Sequence, residues 1–230
     1  MEYFEYHNVV IESPNSREAE AYRKLELNIA MMSLDEKIQV IQSTSAIPED
    51  GKTTTAINLA AVYAEKGEKV IIVDFDLRRP KIHRAFKKPN EKGFYDYVNG
   101  DIDFHDIIVH DESGIDLILT GKHLSFPHIV LESHKASDLI AKLRKEYDYI
   151  IVDTPPVLSV TDSLIVSKYA DGVLYVVAYN KTKKDDAKAG LLQLQKNHAR
   201  VLGSVFANID IKKFKGYHGY DYYSHQDKTS

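Results

Sequence analysis

The sequence contains no cysteine, no long apolar run and no excess of basic residues. Without cysteine the chain has no disulfide, no thiol nucleophile and no cysteine-ligated metal cluster, which fits a reducing compartment. No run approaches the roughly twenty consecutive apolar residues of a membrane helix, and Met1 to Glu5 lack the basic and apolar regions of an export signal. We therefore expect a cytoplasmic protein that does not itself span a membrane.

The net charge and the spacing of the histidines argue against two kinds of binding partner, nucleic acid and zinc. The formal net charge is −4 and the pI is near 6.2, whereas a general nucleic-acid binder is normally basic over its contact face. No nucleic-acid partner is therefore expected. The 10 histidines form no pair at zinc-ligand spacing on one helix, so a zinc site is not expected either.

Apolar, β-branched segments alternate with amphipathic helical patterns along the chain. Strands that are apolar on both faces belong to a buried parallel sheet, and a strand–loop–helix–strand order opens the series. The predicted fold class is α/β, with a central, mostly parallel sheet and helices on both faces. The predicted strands span residues 37–42, 69–73, 115–119, 149–152, 172–178 and 201–207, and the clearest helices residues 17–33, 53–66, 135–146 and 183–197.

Composition divides the chain into three parts. Residues 1–35 are predicted to form an N-terminal arm and an amphipathic helix, and residues 36–210 the α/β domain. Residues 211–230 lose their aliphatic side chains and are predicted to be a flexible tail. This tail carries the tyrosines Tyr217, Tyr220, Tyr222 and Tyr223, although mixtures of tyrosine and glycine also occur in disordered ends that are never modified.

A phosphate-binding loop is predicted between the first strand and the helix that follows. Ala46 lies five residues before Gly51-Lys52-Thr53, which fits the phosphate-loop pattern with alanine in place of the first glycine. Backbone N–H groups would bind phosphate, Lys52 would neutralise the β- and γ-oxygens, and Thr53 would ligate magnesium. The alternative is an ordinary helix cap built on Thr53. The predicted ATP-contacting residues are Ala46, Glu49, Asp50, Gly51, Lys52, Thr53 and Thr54.

Two acids in this loop oppose phosphate binding. Glu49 and Asp50 place negative charge where an anion should be attracted, and a unit charge about 4 Å away is worth roughly 4 kcal/mol at an effective dielectric near 20. We therefore expect both carboxylates to point outward.

Three aspartates follow predicted strands, at the edge where parallel sheets bind ligands: Asp74, Asp76 and Asp153. Phosphoryl transfer needs a metal to hold the phosphates and a carboxylate to orient or deprotonate the acceptor. We assign Asp74 as the base. Asp76 and Asp153, the latter as an outer ligand, are assigned with Thr53 to the magnesium ion.

Arg78 and Arg79 come directly after the second acidic segment and allow two interpretations. Their charge could stabilise the transferring phosphoryl group, which would add Arg78 to the catalytic residues Lys52, Asp74 and Asp76. Alternatively, the arginines simply pair with Asp74 and Asp76, and the three aspartates are loop caps.

These motifs together resemble the bacterial tyrosine kinases (BY-kinases) of capsule and exopolysaccharide biosynthesis, the CpsD/CapB family with Walker A, A′ and B motifs. The most specific segments are Val73-Asp74-Phe75-Asp76-Leu77-Arg78-Arg79-Pro80, Tyr149-Ile150-Ile151-Val152-Asp153-Thr154-Pro155-Pro156 and the tyrosine tail. The resemblance implies a P-loop NTPase-like fold related to MinD and ParA, with ATP and Mg²⁺ as cofactors and autophosphorylation on the tail tyrosines. It also implies a transmembrane adaptor that recruits the kinase to the inner face of the membrane, a homo-oligomer such as a ring, and other polysaccharide-pathway proteins as substrates.

Three departures from the family pattern are visible. The family loop usually has glycine where this chain has Glu49, so the conformational freedom of glycine is lost there. The family's protomer-contact motif ends in arginine, whereas here Glu20 and Arg23 are followed by Glu26. Asn208 stands near the position of an adenine-contacting asparagine, one residue later than expected.

Two rivals to a capsule-type autophosphorylating kinase remain. One is a MinD- or ParA-like switching ATPase, whose loop should carry a further lysine where this chain has Ser45, Ala46 and Ile47. The other is a nucleotide-binding regulator in which Glu49 has weakened catalysis.

Overall fold

The computed structural model describes residues 7–34, 36–100, 102–122 and 126–209. Within them helices and strands alternate along the chain. The strands are β1 (Val40–Ser45), β2 (Val70–Asp74), β3 (Ile108–His110), β4 (Ile115–Ile118), β5 (Tyr149–Asp153), β6 (Gly172–Ala178) and β7 (Val201–Ala207). The helices are α1 (Val9–Glu12), α2 (Arg17–Met32), α3 (Lys52–Glu65), α4 (Ile82–Ala85), α5 (Phe94–Asn99), α6 (Pro127–Leu131), α7 (His134–Glu146), α8 (Asp162–Val166) and α9 (Lys184–Lys196), with a 3-10 turn at His105–Ile107.

All seven strands form one sheet in the order β3-β4-β2-β5-β1-β6-β7. Every pair is parallel except β3 with β4, which is antiparallel. Strand β5 lies between β2 and β1, and its last residue, Asp153, is level with Asp74 on β2 and Ser43 on β1. The register therefore brings the carboxyl ends of these three strands together at one edge.

Apolar side chains cover both faces of the sheet, which confirms the predicted α/β class. Along β2, Ile72 packs into a core with Ile57 and Leu59 of α3, whereas Ile71 packs into a second core with Leu139 of α7. Because successive side chains of a strand point to opposite faces, the continuous apolar run of β2 serves both cores. No helix among the described residues is long and apolar enough to cross a lipid bilayer.

Two strands differ from the sequence-based prediction. β1 begins later than predicted and continues through polar residues to Ser45, because those side chains find partners inside the fold. Gln42 Nε2 donates to the Thr154 hydroxyl and to the Ser163 carbonyl, and Thr44 donates to the Pro155 carbonyl. The short edge strand β3 was not predicted, since it is held by pairing with β4 rather than by an apolar run of its own.

Candidate active site

The predicted phosphate loop connects the central strand β1 to α3. It lies between a strand end and a helix N-terminus, which is the context that its motif requires. Gly51, just before α3, has a φ of 95°, a left-handed conformation that favours glycine. A Cβ at this position would lie 3.0 Å from the Cβ of Ala207, at the end of β7. The backbone conformation therefore favours glycine at position 51, and the close approach of Ala207 leaves little room for a side chain.

Lys52 lies at the centre of a buried polar cluster. Its Nζ is 2.9 Å from Asp76 Oδ2 and 3.2 Å from Asp153 Oδ1. The Thr53 hydroxyl donates to Asp153 Oδ2 at 2.7 Å and lies 3.4 Å from Lys52 Nζ. Four side chains that the sequence distributes over three segments thus meet at the carboxyl edge of the sheet.

Burial and charge set the protonation of this cluster. Burial by itself would lower the pKa of Lys52, but the charges of Asp153 and Asp76 outweigh it and raise that pKa, so the ammonium stays charged. Burial raises the pKa of the Asp153 carboxyl, although Lys52 opposes this. With Asp74 nearby, three carboxyl groups face one ammonium group. A divalent cation would offset the resulting excess of negative charge.

Asp74 is buried and bonded to the backbone of the segment that follows it. Its Oδ1 accepts from the N–H of Asp76 at 3.1 Å, and its Oδ2 accepts from the N–H groups of Lys81 and Ile82 at 3.1 and 3.2 Å. Burial, followed by the charges of Asp153 and Asp76, raises the pKa of Asp74 well above its usual value. Asp74 therefore fixes the path of the chain between β2 and α4, and its role as a base stays a prediction.

The cluster fits a magnesium–phosphate group although it is not a complete metal cage. No group of three or more His, Asp or Glu residues arranged to hold a metal occurs among residues 7–34, 36–100, 102–122 and 126–209. Magnesium at phosphoryl-transfer sites takes only one or two carboxylates, the rest of its shell being phosphate, water and a hydroxyl. Thr53, Asp76 and Asp153 provide oxygen atoms of this kind beside the N-terminus of α3.

Arg78 pairs with a carboxylate other than the predicted ones. Its guanidinium donates to both oxygens of Asp162, at 2.8 Å from Nε and 3.2 Å from Nη2, and the Asp162 side chain is fully buried. The alternative in which Arg78 pairs with Asp74 or Asp76 is therefore wrong. Asp162 is the first residue of α8, so Arg78 is held at the N-terminus of that helix, with part of its side chain exposed. The action of Arg78 on a phosphoryl group stays a prediction.

The two acids of the phosphate loop behave differently from each other. Glu49 points outward as expected, with 58% of its side chain exposed, and its Oε2 is 3.3 Å from Lys181 Nζ. The expectation for Asp50 is wrong: this residue is fully buried, and its Oδ1 accepts from the Thr182 hydroxyl at 2.8 Å. Burial raises the pKa of the Asp50 carboxyl. The inward orientation is possible because a partner from the loop after β6 meets the carboxylate.

Comparison with known proteins identifies the family. A family model described as an AAA domain matches residues 49–211. The tyrosine-protein kinase YwqD of Bacillus subtilis (strain 168) is 32% identical over 220 residues, which are 95% of this chain and 92% of YwqD. The tyrosine-protein kinase CpsD of Streptococcus pneumoniae is 33% identical over 212 residues, 91% of this chain and 92% of CpsD.

The chain belongs to the bacterial tyrosine-protein kinases. A solved structure agrees: the chimerical protein CapA2B2 is 35% identical to this kinase and superposes with a TM-score of 0.83, covering 86% of this chain and 88% of the other. The resemblance inferred from the sequence motifs is therefore confirmed, and so are the P-loop NTPase-like fold and the assignment as a tyrosine-protein kinase.

The remaining residues predicted to contact the nucleotide, Thr54 and Asn208, lie near the phosphate loop. Thr54 is on the first turn of α3. Asn208 directly follows Ala207, the residue that packs against Gly51, and is exposed with a φ of 57°. An adenine contact of Asn208 stays a prediction. The predicted phosphoacceptors Tyr217, Tyr220, Tyr222 and Tyr223 lie outside the described residues.

The residues predicted to form protomer contacts lie on α2 and make contacts within the kinase chain. Arg23 binds Glu65 at 2.8 Å and lies 3.8 Å from Glu20. Glu26 is nearly buried and binds Lys66 at 2.6 Å. Both pairs attach α2 to the end of α3, and the protomer contacts of Glu20, Arg23 and Glu26 stay predictions.

Sequence reasoning gave no role to three residues that contact the candidate site: Asp162, which it noted only as part of the family resemblance, and Lys181 and Thr182, which it missed. Asp162 is 84 residues from Arg78, and Thr182 is 132 residues from Asp50, so no local pattern connects them. The one available signal is position in the sheet. Lys181 and Thr182 follow the carboxyl end of β6, which neighbours β1, and such ends line the ligand edge.

Proposed function

We propose that this kinase transfers the γ-phosphoryl group of Mg-ATP to tyrosine hydroxyls of its own C-terminal segment. The predicted acceptors are Tyr217, Tyr220, Tyr222 and Tyr223. The single observation that carries the proposal is the meeting of Lys52, Thr53, Asp76 and Asp153 at the N-terminus of α3. A cation, a hydroxyl and two carboxylates at a helix N-terminus suit the phosphates and the metal of a nucleotide.

The residues of the cluster take separate roles in this proposal. Lys52 would turn from Asp76 and Asp153 to the β- and γ-phosphate oxygens, for which its raised pKa keeps it charged. The Thr53 hydroxyl would ligate magnesium directly, with Asp76 beside it and Asp153 as an outer ligand. Magnesium, when bound, offsets the charge of the phosphates and of the carboxylates around it.

Two further residues would act on the reacting groups. Asp74, with its pKa raised by burial, is proposed to receive the proton of the tyrosine hydroxyl. Arg78, oriented by Asp162, is proposed to stabilise charge on the transferring phosphoryl group. Asn208, at the end of β7, would contact the adenine ring.

The biological setting proposed is capsule or exopolysaccharide synthesis, with a transmembrane adaptor that recruits the kinase from the cytoplasm to the inner face of the membrane. Similarity to CpsD and to the CapA2B2 chimera supports this setting and a second polypeptide that acts with the kinase. Assembly of protomers into a ring, and phosphorylation of other polysaccharide-pathway proteins, belong to the same proposal.

The test is incubation of the purified kinase with γ-labelled ATP and magnesium, with and without the cytoplasmic segment of a candidate adaptor. Mass mapping of residues 217–223 then locates the label. We expect phosphotyrosine there, and its loss by at least about 100-fold in Lys52→Met, since a preorganised charge at the phosphates is worth about 3 kcal/mol or more of the barrier. The control is Lys188→Met, which makes the same substitution at an exposed lysine of α9.

The other two outcomes would support the alternative functions, a switching ATPase and a nucleotide-binding regulator. Release of free phosphate with unmodified tyrosines would indicate a switching ATPase of the MinD or ParA kind. ATP binding with neither product, in the presence of the adaptor segment, would indicate a nucleotide-binding regulator weakened by Glu49.

A further inference from the structure

A segment after β6 contacts the outside of the phosphate loop. Lys181 Nζ donates to the carbonyl oxygens of Pro48 at 3.0 Å and Glu49 at 2.9 Å, and lies 3.3 Å from Glu49 Oε2. The neighbouring Thr182 hydroxyl donates to Asp50 Oδ1 at 2.8 Å. Two adjacent residues thus hold three consecutive residues of the loop.

Because the peptide group is planar, these contacts also determine the direction of the N–H groups in the loop. In a planar trans peptide, the C=O and the following N–H point in opposite directions. The Pro48 carbonyl points toward Lys181, so the Glu49 N–H of the same peptide group points away from Lys181. The Glu49 carbonyl also points toward Lys181, so the Asp50 N–H points away as well. Backbone N–H groups turned to the inside of such a loop are what binds phosphate.

Glu49 makes this support necessary. Its φ of 63° lies in the left-handed region, where a residue with a side chain is strained by about 1–3 kcal/mol unless its surroundings hold it. A glycine would adopt this conformation freely. The contacts of Lys181 with both carbonyls around residue 49 oppose relaxation of that strain.

We infer that Lys181 and Thr182 are positioning residues that hold the phosphate loop in its nucleotide-binding conformation and compensate for the side chain at position 49. The inference rests on the proposed nucleotide site, but neither residue is assigned a contact with the nucleotide. Lys181 acts on the loop carbonyls, whereas Thr182 acts through the buried carboxylate of Asp50.

The first test compares Mg-ADP binding by calorimetry in the 230-residue parent chain, Lys181→Met and Lys188→Met. Loss of the Lys181 contacts should weaken binding about five- to tenfold, the effect of about one ordinary hydrogen bond, because Lys181 is partly exposed to water. Lys188→Met removes the same charge from an exposed position on α9 and should stay within about twofold of the parent. Thr182→Val, which keeps the side-chain volume, should weaken binding in the same direction.

The second test places Lys181→Met in a Glu49→Gly background. Because glycine adopts the left-handed conformation freely, the effect of Lys181→Met should shrink to less than about twofold there. Equal weakening in both backgrounds would show that Lys181 acts independently of the side chain at position 49, and would overturn the inference. No weakening in either background would also overturn it.

A third measurement separates this inference from the proposed catalysis. Amide ¹⁵N relaxation gives the order parameters of the Glu49 and Asp50 N–H groups in the absence of nucleotide. We expect about 0.85 in the parent chain and below about 0.6 in Lys181→Met. An unchanged order parameter would contradict the positioning role, whether or not the chain autophosphorylates. Conversely, a parent chain that binds Mg-ADP but never labels tyrosine would refute the proposed function and leave the loop inference standing.

Discussion

At the scale of single residues, Asp74 combines a structural contact with a predicted chemical one. Its two oxygens accept three backbone N–H groups, from Asp76, Lys81 and Ile82. Asp76, which binds Lys52, is among these donors, so the position of the cluster depends on Asp74. Loss of activity in an Asp74 variant is therefore not enough to identify the base.

Replacing Asp74 tests this structural role. Asp74→Ala should lower the free energy of unfolding by about 1–3 kcal/mol, because buried N–H groups are left without an acceptor, although relief of repulsion from Asp153 and Asp76 offsets part of this cost. Urea denaturation measures the change, and the exposed Asp106→Ala should stay within about 0.5 kcal/mol of the parent. Unchanged stability would contradict this structural role of Asp74.

At the scale of elements, α2 is attached to the end of α3 by the pairs Arg23–Glu65 and Glu26–Lys66. The second pair is asymmetric, because Glu26 is 7% exposed and Lys66 is 48% exposed. A nearly buried carboxylate needs its partner more than the exposed ammonium does. Glu26 thus has a role inside the protomer, at the position where the family motif has an arginine.

Introducing the family residue should therefore destabilise this kinase. Glu26→Arg places a cation beside Lys66 and should lower the free energy of unfolding by about 1–3 kcal/mol, measured by urea denaturation. The double variant Glu26→Arg/Lys66→Glu should recover part of the loss, since opposite charges face each other again. If Glu26→Arg is as stable as the parent, Glu26 is not needed within the protomer and is available for contacts between protomers.

At the scale of the whole molecule, the end of β7 lies close to the phosphate loop, and the C-terminal segment follows β7 in the chain. Ala207 at the end of β7 packs against Gly51, so the chain leaves the sheet beside the phosphate loop. Tyr217 lies nine positions after Asn208 in the sequence, a span of at most about 30 Å. That length is enough for Tyr217 to reach the phosphate loop of the same protomer, or of a neighbour in the proposed oligomer.

Phosphorylation should change the assembly state because of its charge. Each phosphotyrosine adds about −1.5 to −2 at neutral pH, so four would add roughly −6 to −8 to a chain with a formal charge of −4. We expect ATP to dissociate oligomers and phosphatase to restore them, as measured by light scattering. A variant with phenylalanine at positions 217, 220, 222 and 223 should not respond. Assembly that is the same before and after phosphatase treatment would contradict this prediction.

The sequence by itself determined the α/β class, six of the seven strands and the four longest helices of the described residues, and the candidate site residues Lys52, Thr53, Asp76 and Asp153. These features depend on local information: apolar runs, helical periodicity and a loop motif between a strand and a helix. The boundary of β1 was less predictable, because its polar residues Gln42 and Thr44 are satisfied only by partners distant in sequence.

Tertiary structure alone decided which charges meet. Asp50 is turned inward by Thr182, Arg78 is held by Asp162, and Lys181 binds the loop beside Glu49. Each partner comes from a loop or helix that follows another strand, and strand order is not written in any local pattern. An ionic contact depends on distances of a few ångströms. Those distances exist only once β1, β2, β5 and β6 have paired in the sheet.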